Sequence, residues 1–211
     1  MDIDFETLDV YTRYKLMASL IVPRPIALVT TLGADGTINA APFSMFNMLG
    51  EDPPTLFLSI NRVGKNGAMK DTATHILARR EFVVHLCDEP IAAAMHACGD
   101  ALPPNESELV HAGLTPVPSR KVAPPRIAEA PVAFECRLSE TLESPSRYVF
   151  IGEVLQLWAR DGLVDTERWR VRLQDYHPVG RFGASFYTTT RERFSIPADP
   201  ASARSTPIDE I

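Results

Sequence analysis

Two short stretches carry residue types that could do chemistry together. Asn39-Ala40-Ala41-Pro42-Phe43-Ser44 places small residues, a proline and an aromatic ring in a run that otherwise reads as a strand. Proline has no N–H for a ladder, so pairing must break or lie at a sheet edge there, leaving backbone groups for a flat ligand. Ala40 and Ala41 allow close approach to the main chain, and Phe43 offers a packing face. Lys70-Asp71-Thr72 stands at a helix start. An ammonium, a hydroxyl and the unpaired N–H groups of a helix N-terminus together favour a phosphate. Spacing alone favours a plainer alternative, a surface helix with Asp71 as its cap.

Other reactive types are scattered. Cys87, Cys98 and Cys136 form no C-x-x-C pair, so they read as reduced, partly buried thiols rather than a zinc or dithiol motif. His96-Ala97-Cys98 has no further ligand at a metal-binding spacing. His85 alternates with Val83 and Val84 and reads as a structural or interface residue, and His111 lies in a stretch with no pattern to place it. Ser144-Pro145-Ser146 is a turn without the context of a nucleophile elbow. Trp158 and Trp169 read as barrel and lid packing.

The elements that must position these residues are mostly strands. Ile26–Thr31 is rich in β-branched residues, and Gly33-Ala34-Asp35-Gly36 then signals a hairpin into Thr37–Ser44. Further strands are expected at Thr55–Asn61, Glu81–Cys87, Val132–Leu138 and Tyr148–Ala159. Short helices or turns are expected over 7–21, 66–77 and 90–98, with a proline-rich surface excursion over 100–130. At least six strands and few helices predict a mainly β, closed or nearly closed antiparallel barrel in a single domain over 1–195. Residues 196–211 read as a disordered tail. The βαβ alternation and G-x-G-x-x-G of a dinucleotide-binding Rossmann sheet are missing from the sequence.

Composition narrows the partners. A formal charge of −6 argues against nucleic acid, and an anionic ligand would need a pocket made locally positive against that field. The acidic opening Met1-Asp2-Ile3-Asp4 does not read as a signal peptide, and no apolar run is long enough for a membrane span, so a cytoplasmic protein is expected.

Taken in order, Arg24-Pro25-Ile26-Ala27-Leu28-Val29-Thr30-Thr31, Gly33 to Ser44, Lys70 to Leu77 and Glu81-Phe82-Val83-Val84 resemble the flavin reductase-like family of FMN-binding split-barrel proteins. The resemblance runs over roughly residues 14 to 190 in order. It implies a split barrel (Greek-key-like) that forms a homodimer, with FMN near the subunit interface and NADH or NADPH as co-substrate. Asn39, Ala41, Pro42, Phe43 and Ser44 would then line the isoalloxazine ring, and Ser59 and Ile60 the ribityl chain or ring edge. Lys70, Asp71 and Thr72 match the family's phosphate-side motif, with Arg24 as a second cation; His75 stands where relatives often have asparagine. His177 and Arg181 would come near the flavin through the closing segment.

The expected activity is NAD(P)H-dependent flavin reduction with no catalytic acid, base or nucleophile, since hydride transfer to flavin N5 is cofactor chemistry. It could supply a partner oxygenase or another electron-transfer partner. The alternatives are a flavoredoxin-like electron carrier, an enzyme with prosthetic FMN acting on a small molecule, and a barrel that binds haem or an apolar ligand instead.

Overall fold

The computed structural model describes residues 1–64, 67–102 and 106–194. The expected tail over 196–211 and the Asn66 start of the second helix lie outside the described residues.

Seven strands make one antiparallel sheet: β1 Ala27–Leu32, β2 Ile38–Phe43, β3 Phe46–Glu51, β4 Pro54–Asn61, β5 Glu81–Leu86, β6 Val132–Glu143 and β7 Arg147–Ala159. Their order across the sheet is β2-β1-β5-β6-β7-β4-β3. The strands β2 and β3 are therefore opposite edges, yet only Ser44 and Met45 join them. Three Cα–Cα steps span at most about 11 Å. The sheet must curl until its edges meet, which makes a mainly β barrel whose seam is the Phe43–Phe46 connection. The Ser59 N–H donates to the Met45 carbonyl at 2.8 Å and fastens that seam to β4.

Local chemistry explains the elements. In the β1–β2 hairpin Gly36 takes φ +88°, and the Asp35 carboxylate accepts the Thr37 N–H at 3.0 Å. Alternation along β4 turns Leu56, Leu58 and Ile60 into the barrel against Val29, Phe82 and Phe150. Gly152 is required there, because a Cβ at this position would sit 2.5 Å from the Phe82 ring. Pro42 pairs with Leu28 on an edge strand, the position that its missing N–H demands.

The outer face of β1, β2 and β5 is covered by a second apolar cluster that includes Leu28, Met95, Leu109 and Ile127. The 100–130 excursion supplies much of this cover. It contains helix α4, Glu108–Ala112, and a short ladder of Pro116–Val117 with Arg126–Ile127. Buried polar groups of the barrel hold it in place. Thr30 donates to the Pro125 carbonyl at 2.5 Å, and Glu135, 1% exposed, accepts the N–H groups of Arg120 and Lys121. His85 lies between the Leu28 carbonyl and the Ile127 N–H, each at 2.9 Å. Its Nδ1 therefore donates and its Nε2 accepts, and burial pushes its pKa down to about 4. The structural reading of His85 follows from both bonds.

Of the helix or turn expected over 7–21 the structure has the helix, α1, Val10–Leu20, with Asp9 accepting the Tyr11 and Thr12 N–H groups. Several expectations are corrected. The second helix, α2, is Asp71–Arg79, and Lys70 rather than Asp71 occupies its N-cap position. The third region divides into a 3-10 turn, Glu89–Ile91, and α3, Ala92–Ala97. Strand β3 was not anticipated, and β6 runs on to Glu143. Trp158 packs with Val83, Val122 and Ala133, but Trp169 is 80% exposed and packs no lid. Among the described residues no helix is long and apolar enough to cross a membrane.

After the barrel the chain returns as β8, Gly180–Gly183, and β9, Phe186–Thr188. The Arg24–Pro25 segment pairs with β8, so that Arg24 stands opposite Arg181.

Candidate functional site

The seam residues Pro42, Phe43 and Ser44 open into a cleft of about 550 Å³. One wall is α1, through Tyr11, Tyr14 and Lys15; another is the end of α3, through Met95, His96 and Gly99. The β8–β9 return supplies Arg181 and Tyr187, and Arg24 lies beneath.

Arg24 is held with little freedom. Its Nη1 donates to the Ala18 and Ile21 carbonyls at the end of α1, and its Nε donates to Ser44 Oγ at 3.3 Å. Burial, helped by the nearby Arg181 charge, lowers its pKa from the usual guanidinium value. Arg181 Nη1 donates to the Tyr187 hydroxyl at 2.6 Å, and that hydroxyl is 2.7 Å from His96 Nδ1. Among the described residues neither guanidinium is in an ion pair. Asp100, among the described residues the one carboxylate in the lining, is 3.2 Å from His111 Nε2.

Phe43 links this cleft to a second cation. The Lys70 ammonium lies 5.7 Å from the centroid of the Phe43 ring, and Lys70 heads α2 without a side-chain cap on the helix N–H groups. Behind them is a polar chain. Asn39 Nδ2 donates to Thr72 Oγ1 at 3.0 Å and to Thr31 Oγ1 at 3.2 Å, and Thr31 Oγ1 is 3.1 Å from His75 Nδ1. His75 thus points inward, and burial lowers its pKa.

A family model described as the flavin reductase like domain matches residues 17–177. The chain belongs to the flavin reductase-like family. Within this family the chain is similar to the Pseudomonas fluorescens 2-nitrobenzoate 2-nitroreductase NbaA, at 36% identity and TM-score 0.86 over 95% of this chain and 97% of that one. It is also similar to nitrilotriacetate monooxygenase component B from Bacillus cereus, at 33% identity and TM-score 0.86 over 93% and 98% of the two chains. The FMN-binding protein from Thermus thermophilus, at 22% identity and TM-score 0.68 over 84% and 93%, shares the fold.

In this flavin reductase-like chain the residues singled out from sequence fall into three groups. Arg24, Pro42, Phe43 and Ser44 come together in the cleft. Lys70 and the start of α2, Asp71 and Thr72, lie on the far side of Phe43. The rest do not line the cleft. Ile60 has no exposed surface and belongs to the barrel core, so its side chain cannot touch a ligand. Ser59 keeps its backbone in the seam. Ala41 is paired with Val29, and the Asn39 amide is engaged by Thr31 and Thr72.

The edge of β2 is less open than its proline suggests. Glu108 accepts the Ala40 N–H at 3.0 Å, and Ser107 donates to the Ile38 carbonyl at 2.9 Å. Backbone left for a ligand is confined to the seam itself.

Sequence reasoning missed Lys15, His96 and Tyr187 as cleft residues and weighed Arg181 only as a flavin neighbour. His177 is engaged elsewhere, with Nδ1 3.1 Å from Arg193 Nη2. Among the described residues no three His, Cys, Asp or Glu side chains come together to hold a metal.

Proposed function

We propose that this protein is an FMN-dependent oxidoreductase, an NAD(P)H:flavin reductase with one FMN site per chain. Bound FMN would supply the hydride-accepting N5 of its isoalloxazine ring. The observation that carries the reading is the position of Phe43, which lines the 550 Å³ cleft and lies 5.7 Å from the Lys70 ammonium.

The residues present fit that cofactor. A flat ring needs an apolar edge and backbone groups, which Pro42, Phe43 and Ser44 offer where they line the cleft. A phosphate needs a cation and N–H donors, which Lys70 and the first residues of α2, Asp71 and Thr72, supply. Thr72 is 2% exposed and its hydroxyl already accepts from Asn39, so its backbone N–H is the group that serves. Asn39 holds the helix start against β1 and β2 rather than touching the ring. No side chain is asked to act as acid, base or nucleophile.

The cleft beside Phe43 has the volume of a small-molecule site, which favours a reductase with its own nicotinamide over a flavoredoxin-like carrier. Likeness to nitrilotriacetate monooxygenase component B supports an oxygenase as the consumer of reduced flavin. We also infer a homodimer with the flavin near its interface. Val10, Tyr11, Met17 and Leu20 of α1 are exposed, as are Met48 and Leu49 of β3 at the seam.

The experiment is anaerobic mixing of the FMN-loaded protein with NADH and with NADPH while the flavin's visible band is followed. Bleaching by either nucleotide supports the reductase. Bleaching only by a reduced protein donor supports the carrier.

A further inference from the structure

Two cationic centres flank the Pro42–Ser44 segment, whereas FMN has a single phosphate. One centre is Lys70 at the start of α2; the other is the pair Arg24 and Arg181 in the cleft. With Lys70 assigned to the phosphate, the guanidinium pair is surplus to the cofactor. We propose that this cleft is the site of the second reactant, and that it selects one carrying an oxyanion, a carboxylate or a phosphate, next to a flat ring. The proposal rests on the flavin reading for the identity of the neighbouring cofactor.

The pair is built rather than incidental. Arg24 and Arg181 are register partners across the ladder, so their like charges are brought together by the fold itself. Such a pairing is unfavourable until an anion lies between or above the two groups. Arg24, 8% exposed, cannot swing away, because Ala18, Ile21 and Ser44 engage its Nη1 and Nε. Among the described residues its Nη2 has no hydrogen-bond partner, and neither have Nε and Nη2 of Arg181, whose guanidinium lies over the Tyr187 ring at 4.8 Å. Guanidinium forks of this kind match the planar oxygens of a carboxylate or the face of a phosphate.

The surroundings agree in charge and shape. Among the described residues Lys15, Arg24 and Arg181 line the cleft against a single carboxylate, Asp100. In a chain of net charge −6, these three cations make the concavity locally positive for a ligand already near it. The Tyr187 hydroxyl, between Arg181 and His96, is a further polar group for the same oxyanion, and Tyr14 and Phe43 give the ring its apolar faces.

The test uses full-length, FMN-loaded protein and isothermal titration with three probes: benzoate, its neutral amide benzamide, and AMP. Benzoate or AMP should bind at least tenfold tighter than benzamide. Arg181→Met should erase that preference by tenfold or more while FMN affinity stays within about twofold, and Arg181→Lys should restore part of it. Benzoate ahead of AMP identifies a small carboxylate as the reactant, and the reverse order identifies the nucleotide's own phosphate. Equal binding of all three probes, or an anion preference that survives Arg181→Met, overturns the proposal. A loss of FMN affinity in Arg181→Met overturns it too, by assigning the pair to the cofactor, while the flavin reading stands. Failure of the wild type to take up FMN sinks the flavin reading instead. The benzoate–benzamide comparison on the same protein still decides the anion preference.

Discussion

The ammonium of Lys70 lies over the Phe43 ring, 5.7 Å from its centroid, and so joins the start of α2 to the seam between β2 and β3. A cation–π contact of this kind also orients the amine for any anion placed at the helix start. Lys70→Ala is therefore expected to weaken FMN binding by about 1.5–3 kcal/mol, the range for a hydrogen bond to a charged group. Quenching of flavin fluorescence on titration measures it. An unchanged affinity would put the phosphate elsewhere.

His85 makes stability depend on pH. Its folded pKa, about 4, lies below the ordinary 6.5, so within that window the unfolded chain binds a proton that the folded chain does not. Stability should fall as pH drops from 6.5 to 4, by on the order of 3 kcal/mol from this group. In urea unfolding, the gap between wild type and His85→Gln should narrow across that range. A constant gap would show that His85 does not titrate this way.

Glu135 anchors the excursion. Its buried carboxylate accepts the N–H groups of Arg120 and Lys121, so Glu135→Ala would leave both without their acceptor. A loss of about 2–4 kcal/mol is expected. Hydrogen exchange should quicken at residues 116–127 before it does in the barrel. Uniform quickening over both would contradict an anchoring role.

Gly152→Ala should cost about 1–3 kcal/mol, since the new Cβ would meet the Phe82 ring at 2.5 Å. Phe82→Leu in the same chain should recover part of the loss. Additive losses in thermal melts would mean that the two positions do not meet.

What could be read from the sequence follows the range of each interaction. The hairpin at Asp35-Gly36 and the strand runs of β1, β4 and β5 have local causes, turn chemistry and alternation, and they stand as read. Strand β3, Phe-Asn-Met-Leu-Gly-Glu, lacks β-branched residues and was passed over. Its pairing comes from the barrel closing onto β4, which is a tertiary event.

The site divides the same way. Lys70 and Phe43 carry local signals, a helix start and an interrupted strand. The Arg24–Arg181 pair has none, because its members meet only when β8 returns to the start of the barrel. Ile60 shows the reverse case, a side chain in the core where the resemblance implies a ligand contact. Alternation with Leu56 and Leu58 points it into the core, and the family resemblance led away from that local signal. The excursion could not be placed because two of its partners, Thr30 and His85, lie on strands 95 and 42 residues away from the groups they bond.

The most direct test of the central claim is an equilibrium titration of the purified, flavin-free protein with FMN, followed by flavin fluorescence. Saturable quenching with one FMN per chain is predicted, and riboflavin, which lacks the phosphate, should bind at least tenfold more weakly. No saturable uptake of FMN would contradict the account, and equal affinity for riboflavin would remove the role of Lys70 and the α2 start.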